Sequence, residues 1–242
     1  MSQSFSQPES AAASQDYPGE SRESFMARVR QALGRQQTIA PTEPAPVADQ
    51  DIVRLARPED DLLDMFEKRA IVTGMKVIPI KAGDLIKSIY QKLEELGAKK
   101  LVVGVGSLPQ ALGLKDSLRR KGFEIVDWAS SPGLEVQFGA DAGITDVHAA
   151  LAETGTLICN SDAGHSRGLS LVPPVHLAIV RKSDILPDMF DYWARLKGIP
   201  GSQLPSSMAF ITGPSKTADI EGQLIKGVHG PKDVFIFLVQ DA

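Results

Sequence analysis

Apolar and polar positions along this chain come in blocks that match helices and buried strands. Phe25, Val29, Ala32 and Leu33 fall on one helical face, with Gly34 as a stop. Residues 38–50, TIAPTEPAPVADQ, hold three prolines and no period, which predicts an extended linker. Leu62, Leu63, Met65 and Phe66 then open a helix. KVIPI (76–80) predicts a strand, 84–96 a helix, KLVVGV (100–105) a strand, 109–121 a helix and FEIVD (123–127) a strand. After a Pro-Gly turn come AGITD (142–146), TGTLIC (154–159), VHLAIV (175–180), MAFIT (208–212) and VFIFLVQ (234–240), with a helix over 187–197. These strands are continuous apolar runs, as expected for burial on both faces. Their alternation with helices predicts an α/β fold: a three-layer α/β/α arrangement around a largely parallel or mixed sheet.

Composition adds limits. Residues 1–20 are rich in Ser, Gln, Ala and Pro, which predicts disorder, so 1–50 reads as an arm with one short amphipathic helix and 51–242 as the regular domain. With 26 basic against 30 acidic residues the net charge is −4, which argues against nucleic acid as a partner. No run reaches the roughly 18 apolar residues of a membrane span, and the N-terminal stretch lacks a basic, apolar secretion signal. The expected location is the cytoplasm. A single cysteine, Cys159, forms no internal disulfide and cannot hold an iron–sulfur cluster, so no cofactor is expected on this chain.

Two stretches carry candidate chemistry. In AETGT (152–156) a carboxylate, Glu153, enters an apolar run beside Thr154, Gly155 and Thr156, small residues that leave room beside it for a ligand. It is either satisfied by backbone or a lysine, or acts as a base, nucleophile or ligand contact. In GPSKT (213–217) and the residues after it, Ser215 or Thr217 reads as a helix cap, with Asp219 favouring the helix dipole. There Lys216 and free backbone N–H groups offer an anion site. GVGS (104–107) has two glycines of a dinucleotide turn but Pro109 in place of the third, so a simple turn into a helix is the plainer reading. Of four histidines, His176 and His229 are the better site candidates, while His148 reads as helical and His165 as part of a Gly/Ser loop. No metal-ligand spacing is present. Glu153, Thr154, Ser215, Thr217, Asp219 and His229 are expected to share one pocket, with His176 joining them only if the chain doubles back before it.

The combination ADAGITDVHAALAETGTLI, LVPPVHLAIV and TGPSKTADIEGQLIKGVHGP resembles the lactate-utilisation protein C family, the LUD domain proteins, over most of 50–242. The helix ESFMARVRQALGR and its Pro-rich linker resemble that family's N-terminal extension. The resemblance implies a fold like the ribose-5-phosphate isomerase, glucosamine-6-phosphate deaminase and CoA-transferase group. It also implies a role as the cluster-free subunit of an NAD-independent system oxidising L-lactate to pyruvate, with iron–sulfur clusters on partner proteins resembling A and B. The alternative is a stand-alone enzyme of the CoA-transferase or sugar-phosphate isomerase type, binding a small anion with Glu153 as base or nucleophile.

Overall fold

A computed structural model describes residues 21–34, 49, 52–104, 106–126, 128, 135–162, 164–218 and 223–242. The chain divides into two units, 1–48 and 49–242. In the first, helix α1 (Arg22–Ala32) starts at Ser21, whose hydroxyl accepts from the Ser24 N–H at 3.2 Å, and buries none of its residues. Gly34 follows it with a φ of 65°, the left-handed stop that the sequence predicts.

The second unit opens with α2 (Leu62–Thr73), capped by Asp61 and closed by left-handed Gly74. Strands β1 (Lys76–Ile80), β2 (Lys100–Gly104), β3 (Glu124–Val126) and β4 (Ala142–Asp146) follow, with α3 (Leu85–Glu95), α4 (Ser107–Ala111), α5 (Leu114–Arg120) and α6 (Glu135–Phe138) between them. Next come β5 (Ala149–Leu151), β6 (Thr156–Asn160), α7 (Gly168–Leu171), β7 (Val175–Arg181) and β8 (Ile185–Leu186). The chain continues through α8 (Met189–Leu196), β9 (Met208–Ile211), β10 (Lys216–Thr217), β11 (Ile225–Lys226) and β12 (Asp233–Val239).

A six-stranded parallel sheet in the order β1-β12-β7-β4-β2-β3 forms the centre. Its register explains the continuous apolar runs. Val103, Ile144, Leu177 and Phe235 form one row across four strands and meet α3 and α5 through Ile89, Leu93, Leu114 and Leu118. On the other face, Ala178, Val180, Ile236 and Leu238 pack with Phe66 and Ala70 of α2 and with Leu157 and Cys159 of β6. Each strand therefore needs apolar side chains on both faces. The α/β fold with a mostly parallel sheet and flanking helices is as predicted.

Several local expectations are corrected. TGTLIC does not join the parallel sheet: β6 belongs to a second sheet in the order β8-β5-β6-β9, antiparallel to β5 and β9. Its cause is the short turn at 152–155, because neighbouring parallel strands need a crossover of roughly a dozen residues. MAFIT becomes the half-exposed edge strand β9 of that sheet. His148 lies exposed between two strands, not on a helix. The predicted helix over 109–121 breaks at Gly113, which takes a φ of 67°. GPSKT starts no helix at 215–217; Lys216 and Thr217 pair antiparallel with Lys226 and Ile225. Backbone bonds from Ser215 N–H to Pro231 and from Gly227 N–H to Ser215 hold that ribbon together.

Candidate functional site

Gly104 and Gly143 bring the site together. They lie on the same face of β2 and β4, where a side chain would meet α7. A Cβ on Gly143 would stand 1.8 Å from the Leu169 carbonyl oxygen, and one on Gly104 would stand 2.3 Å from the Leu169 side chain. The sheet thus receives α7 at backbone distance, and the loop before α7 is drawn over the carboxyl end of β4. In open α/β sheets that end is where ligands bind.

Asp146 is the last residue of β4. Its Oδ1 lies 2.6 Å from Nε2 of His165, while Nδ1 of His165 lies 2.9 Å from Oδ1 of Asp162. Carboxylates only accept, so both ring nitrogens must donate and the imidazole is held as imidazolium. The hydrogen bond to Asp146 is the largest cause that lifts the His165 pKa above its ordinary value; burial opposes it and Asp162 adds to it. Burial alone would raise Asp162, but the hydrogen bonds from His165 and from the Gly164 N–H (2.7 Å) outweigh it and bring that carboxyl below the usual range. The three groups border a cleft of about 190 Å³ whose wall also carries Thr145, Arg167 and Arg181. Arg181 is engaged with Asp184 at 2.9 and 2.7 Å.

Behind the cleft wall, Thr145 Oγ1 lies 2.9 Å from Nε2 of His176, which is wholly buried and finds no partner for Nδ1 among the described residues. Burial pushes the pKa of His176 down to about 4. Cys159, also on the wall, has its thiol pushed up to about 12, mainly by burial. It is therefore a neutral, weakly nucleophilic group.

The two histidines predict opposite pH responses. His165 has a raised folded pKa, so its stabilisation is complete below the ordinary imidazole value near 6.5 and fades as pH rises through the raised one. His176 has a depressed folded pKa, so stability is lost as pH falls from 6.5 towards 4, by about 3 kcal/mol. Urea unfolding from pH 4 to 9 should show His165→Gln most destabilised relative to wild type at pH 6 and least at pH 9. His176→Gln should flatten the acid limb. Parallel wild-type and variant curves would contradict both assignments.

The predicted site residues gather elsewhere. Glu153 sits half-buried in the turn between β5 and β6; burial raises its pKa first and Asp188 adds to this, while Arg69 and Arg54 act against it. Thr154 bonds Thr156 at 2.6 Å, and Thr156 bonds Thr212 at 2.8 Å. Gly155, with a φ of 65°, abuts α2: a Cβ there would stand 2.4 Å from the Ala70 nitrogen. Lys216 donates to the Thr73 carbonyl at the end of α2 at 2.6 Å. Ser215 Oγ accepts from the N–H of His229, which is exposed, and Thr217 pairs with Ile225. Asp219 lies outside the described residues. None of the described members lines the cleft, and only His176 reaches it, through Thr145. The expected single pocket is thus replaced by a seam along α2 and a separate Ser215–His229 contact.

Sequence reasoning passed over Asp146, Asp162, His165 and Arg167. Two signals pointed to them. Strand 142–146 ends on a carboxylate, and the apolar run 156–159 gives way at once to the polar loop NSDAGHSR (160–167).

The LUD domain model matches residues 63–239. Lactate utilization protein C of Halalkalibacterium halodurans is 33% identical over 225 residues, covering 91% of this chain and 98% of that protein. Lactate utilization protein C of Bacillus subtilis is 28% identical over 233 residues, covering 92% and 97%. The crystal structure of a DUF162 family protein from Deinococcus radiodurans superposes with a TM-score of 0.54 at 20% identity, covering 80% of this chain and 99% of that one, which marks a shared fold.

Proposed function

This chain belongs to the LUD domain family, and from that footing we propose that it works in lactate utilization, as the cluster-free subunit of an NAD-independent L-lactate oxidation system in the cytoplasm. The observation that carries the reading is the similarity to proteins named lactate utilization protein C, which runs along nine-tenths of the chain. Its lone cysteine is buried with a thiol pushed up to about 12, so the donor set does not suit an iron–sulfur cluster. Electron transfer is therefore assigned to iron–sulfur partner proteins. The Asp146–His165–Asp162 unit supplies this subunit's chemistry: a fixed imidazolium with carboxylates at both nitrogens, in which the Asp146 carboxylate, not the fully protonated ring, is the group placed to accept a proton at the end of β4.

Tagged chain recovered from its native host should bring down iron-containing partners, and the eluate should oxidise L-lactate with an artificial acceptor. Deletion of the gene should abolish growth on lactate. Recovery of the chain alone from lactate-grown cells, or normal growth after deletion, would overturn the proposal. Turnover of a small anionic substrate by the isolated chain would instead support the stand-alone enzyme.

A further inference from the structure

The cleft at the end of β4 has features that select a ligand. Its volume of about 190 Å³ falls below the roughly 300–1,000 Å³ of sites for drug-sized molecules, so it suits a ligand of few heavy atoms. Arg167 on its wall has no ion pair among the described residues, in contrast to Arg181, which is bound to Asp184. A guanidinium with no carboxylate of its own, facing a small polar cleft, matches the forked geometry of a ligand carboxylate. His165 has both ring nitrogens committed and so adds positive charge without a spare donor.

Asp146 supplies the second element. Oδ1 holds His165, while Oδ2 makes no hydrogen bond among the described residues. Residue 106 lies beside that oxygen, and a Cβ there would stand 2.2 Å from Oδ2. Gly106 thus packs against Oδ2, and any larger residue there would fill the space beside it. A carboxylate oxygen that no described residue donates to accepts from a hydroxyl and repels a carbonyl oxygen.

We propose that this cleft binds a small 2-hydroxy monocarboxylate directly, with Arg167 on the carboxylate and Asp146 Oδ2 accepting the 2-hydroxyl. The inference rests on the lactate reading of the chain but adds that the ligand meets this subunit and that the hydroxy acid is held in preference to the oxo acid. A ligand lacking the hydroxyl forfeits one charge-assisted hydrogen bond, and one carrying a carbonyl also meets repulsion.

The test is ligand-observed NMR titration of the full chain with L-lactate, pyruvate and propionate. Wild type should bind lactate about ten-fold or more tightly than either of the others. Arg167→Gln should weaken lactate about ten-fold or more, with Arg167→Lys in between. Arg167 is exposed, so both variants should keep the wild-type thermal midpoint. Asp146→Asn, whose amide can donate, should shift the preference towards pyruvate. Equal affinity for lactate and propionate, unchanged lactate binding in Arg167→Gln, or no lactate binding at tens of millimolar (a concentration chosen to detect weak sites) would each overturn the inference. Growth of the deletion strain separates the two failures. If that strain cannot use lactate while the chain binds none, this site assignment falls and the wider functional reading stands.

Discussion

Gly143→Ala is expected to leave little folded protein. The added methyl would sit 1.8 Å from the Leu169 oxygen and 3.0 Å from its carbonyl carbon, both backbone atoms of α7. β4 is held between β7 and β2 and cannot retreat, so α7 must lift off the sheet. Loss of that packing together with strain in a central strand belongs to the rare class above about 4 kcal/mol, a large share of the roughly 5–15 kcal/mol that stabilises a domain. Gly83→Ala is the control, since nothing lies within 4 Å of its added methyl, and it should change stability by less than about 0.5 kcal/mol. Soluble yield and urea midpoints of the two variants decide the matter. A Gly143→Ala protein as stable as Gly83→Ala would mean that α7 does not rest on the sheet as described.

Asp146→Asn and His165→Gln should each remove activity while leaving the fold in place. Asp146 ends its strand at the rim of the cleft, so the sheet ladder does not depend on its charge. The amide keeps the shape but no longer offers His165 a charged acceptor, and the imidazolium keeps only Asp162. Removal of a positioned acid–base group commonly costs 10²- to 10⁴-fold, so under the proposed function lactate oxidation by the recovered complex should fall by about that factor. Growth on lactate should fail in the same strains, with circular dichroism unchanged. Glu153→Gln supplies the comparison: if it alone abolishes oxidation while Asp146→Asn does not, the chemistry lies in the seam along α2.

The central sheet was legible because its strands are buried on both faces. VHLAIV and VFIFLVQ carry apolar residues in succession, and β7 and β12 prove to be the strands on either side of one register. The second sheet was not legible, because β5 is three small or apolar residues, AAL, whose burial comes from neighbours distant in sequence. Glycine was the most misleading signal. Beside Glu153 it suggested room for a ligand, yet Gly155 is the point where α2 touches the turn. The histidines misled for a related reason: His165 lies in a polar loop, and its two carboxylate partners are recognisable only once α7 is seated on Gly143.

The position of β12 has a consequence for how the domain comes into being. Among the described residues β1 has β12 as its only strand neighbour, and β12 also completes β7, so the place between β1 and β7 is filled by the element that follows all the other described ones. Lys76 and Asp233, which join across this pairing at 2.7 Å, are 157 residues apart. On a ribosome making about 5–20 residues per second, β1 emerges and then waits several seconds or more for its neighbour. During that interval β1 and β7 each present an open hydrogen-bonding edge, the feature that recruits foreign strands. Nascent chains released before β12 is made should therefore be prime clients of chaperones, and damage confined to β12 should detach β1 and lay open the edge of β7.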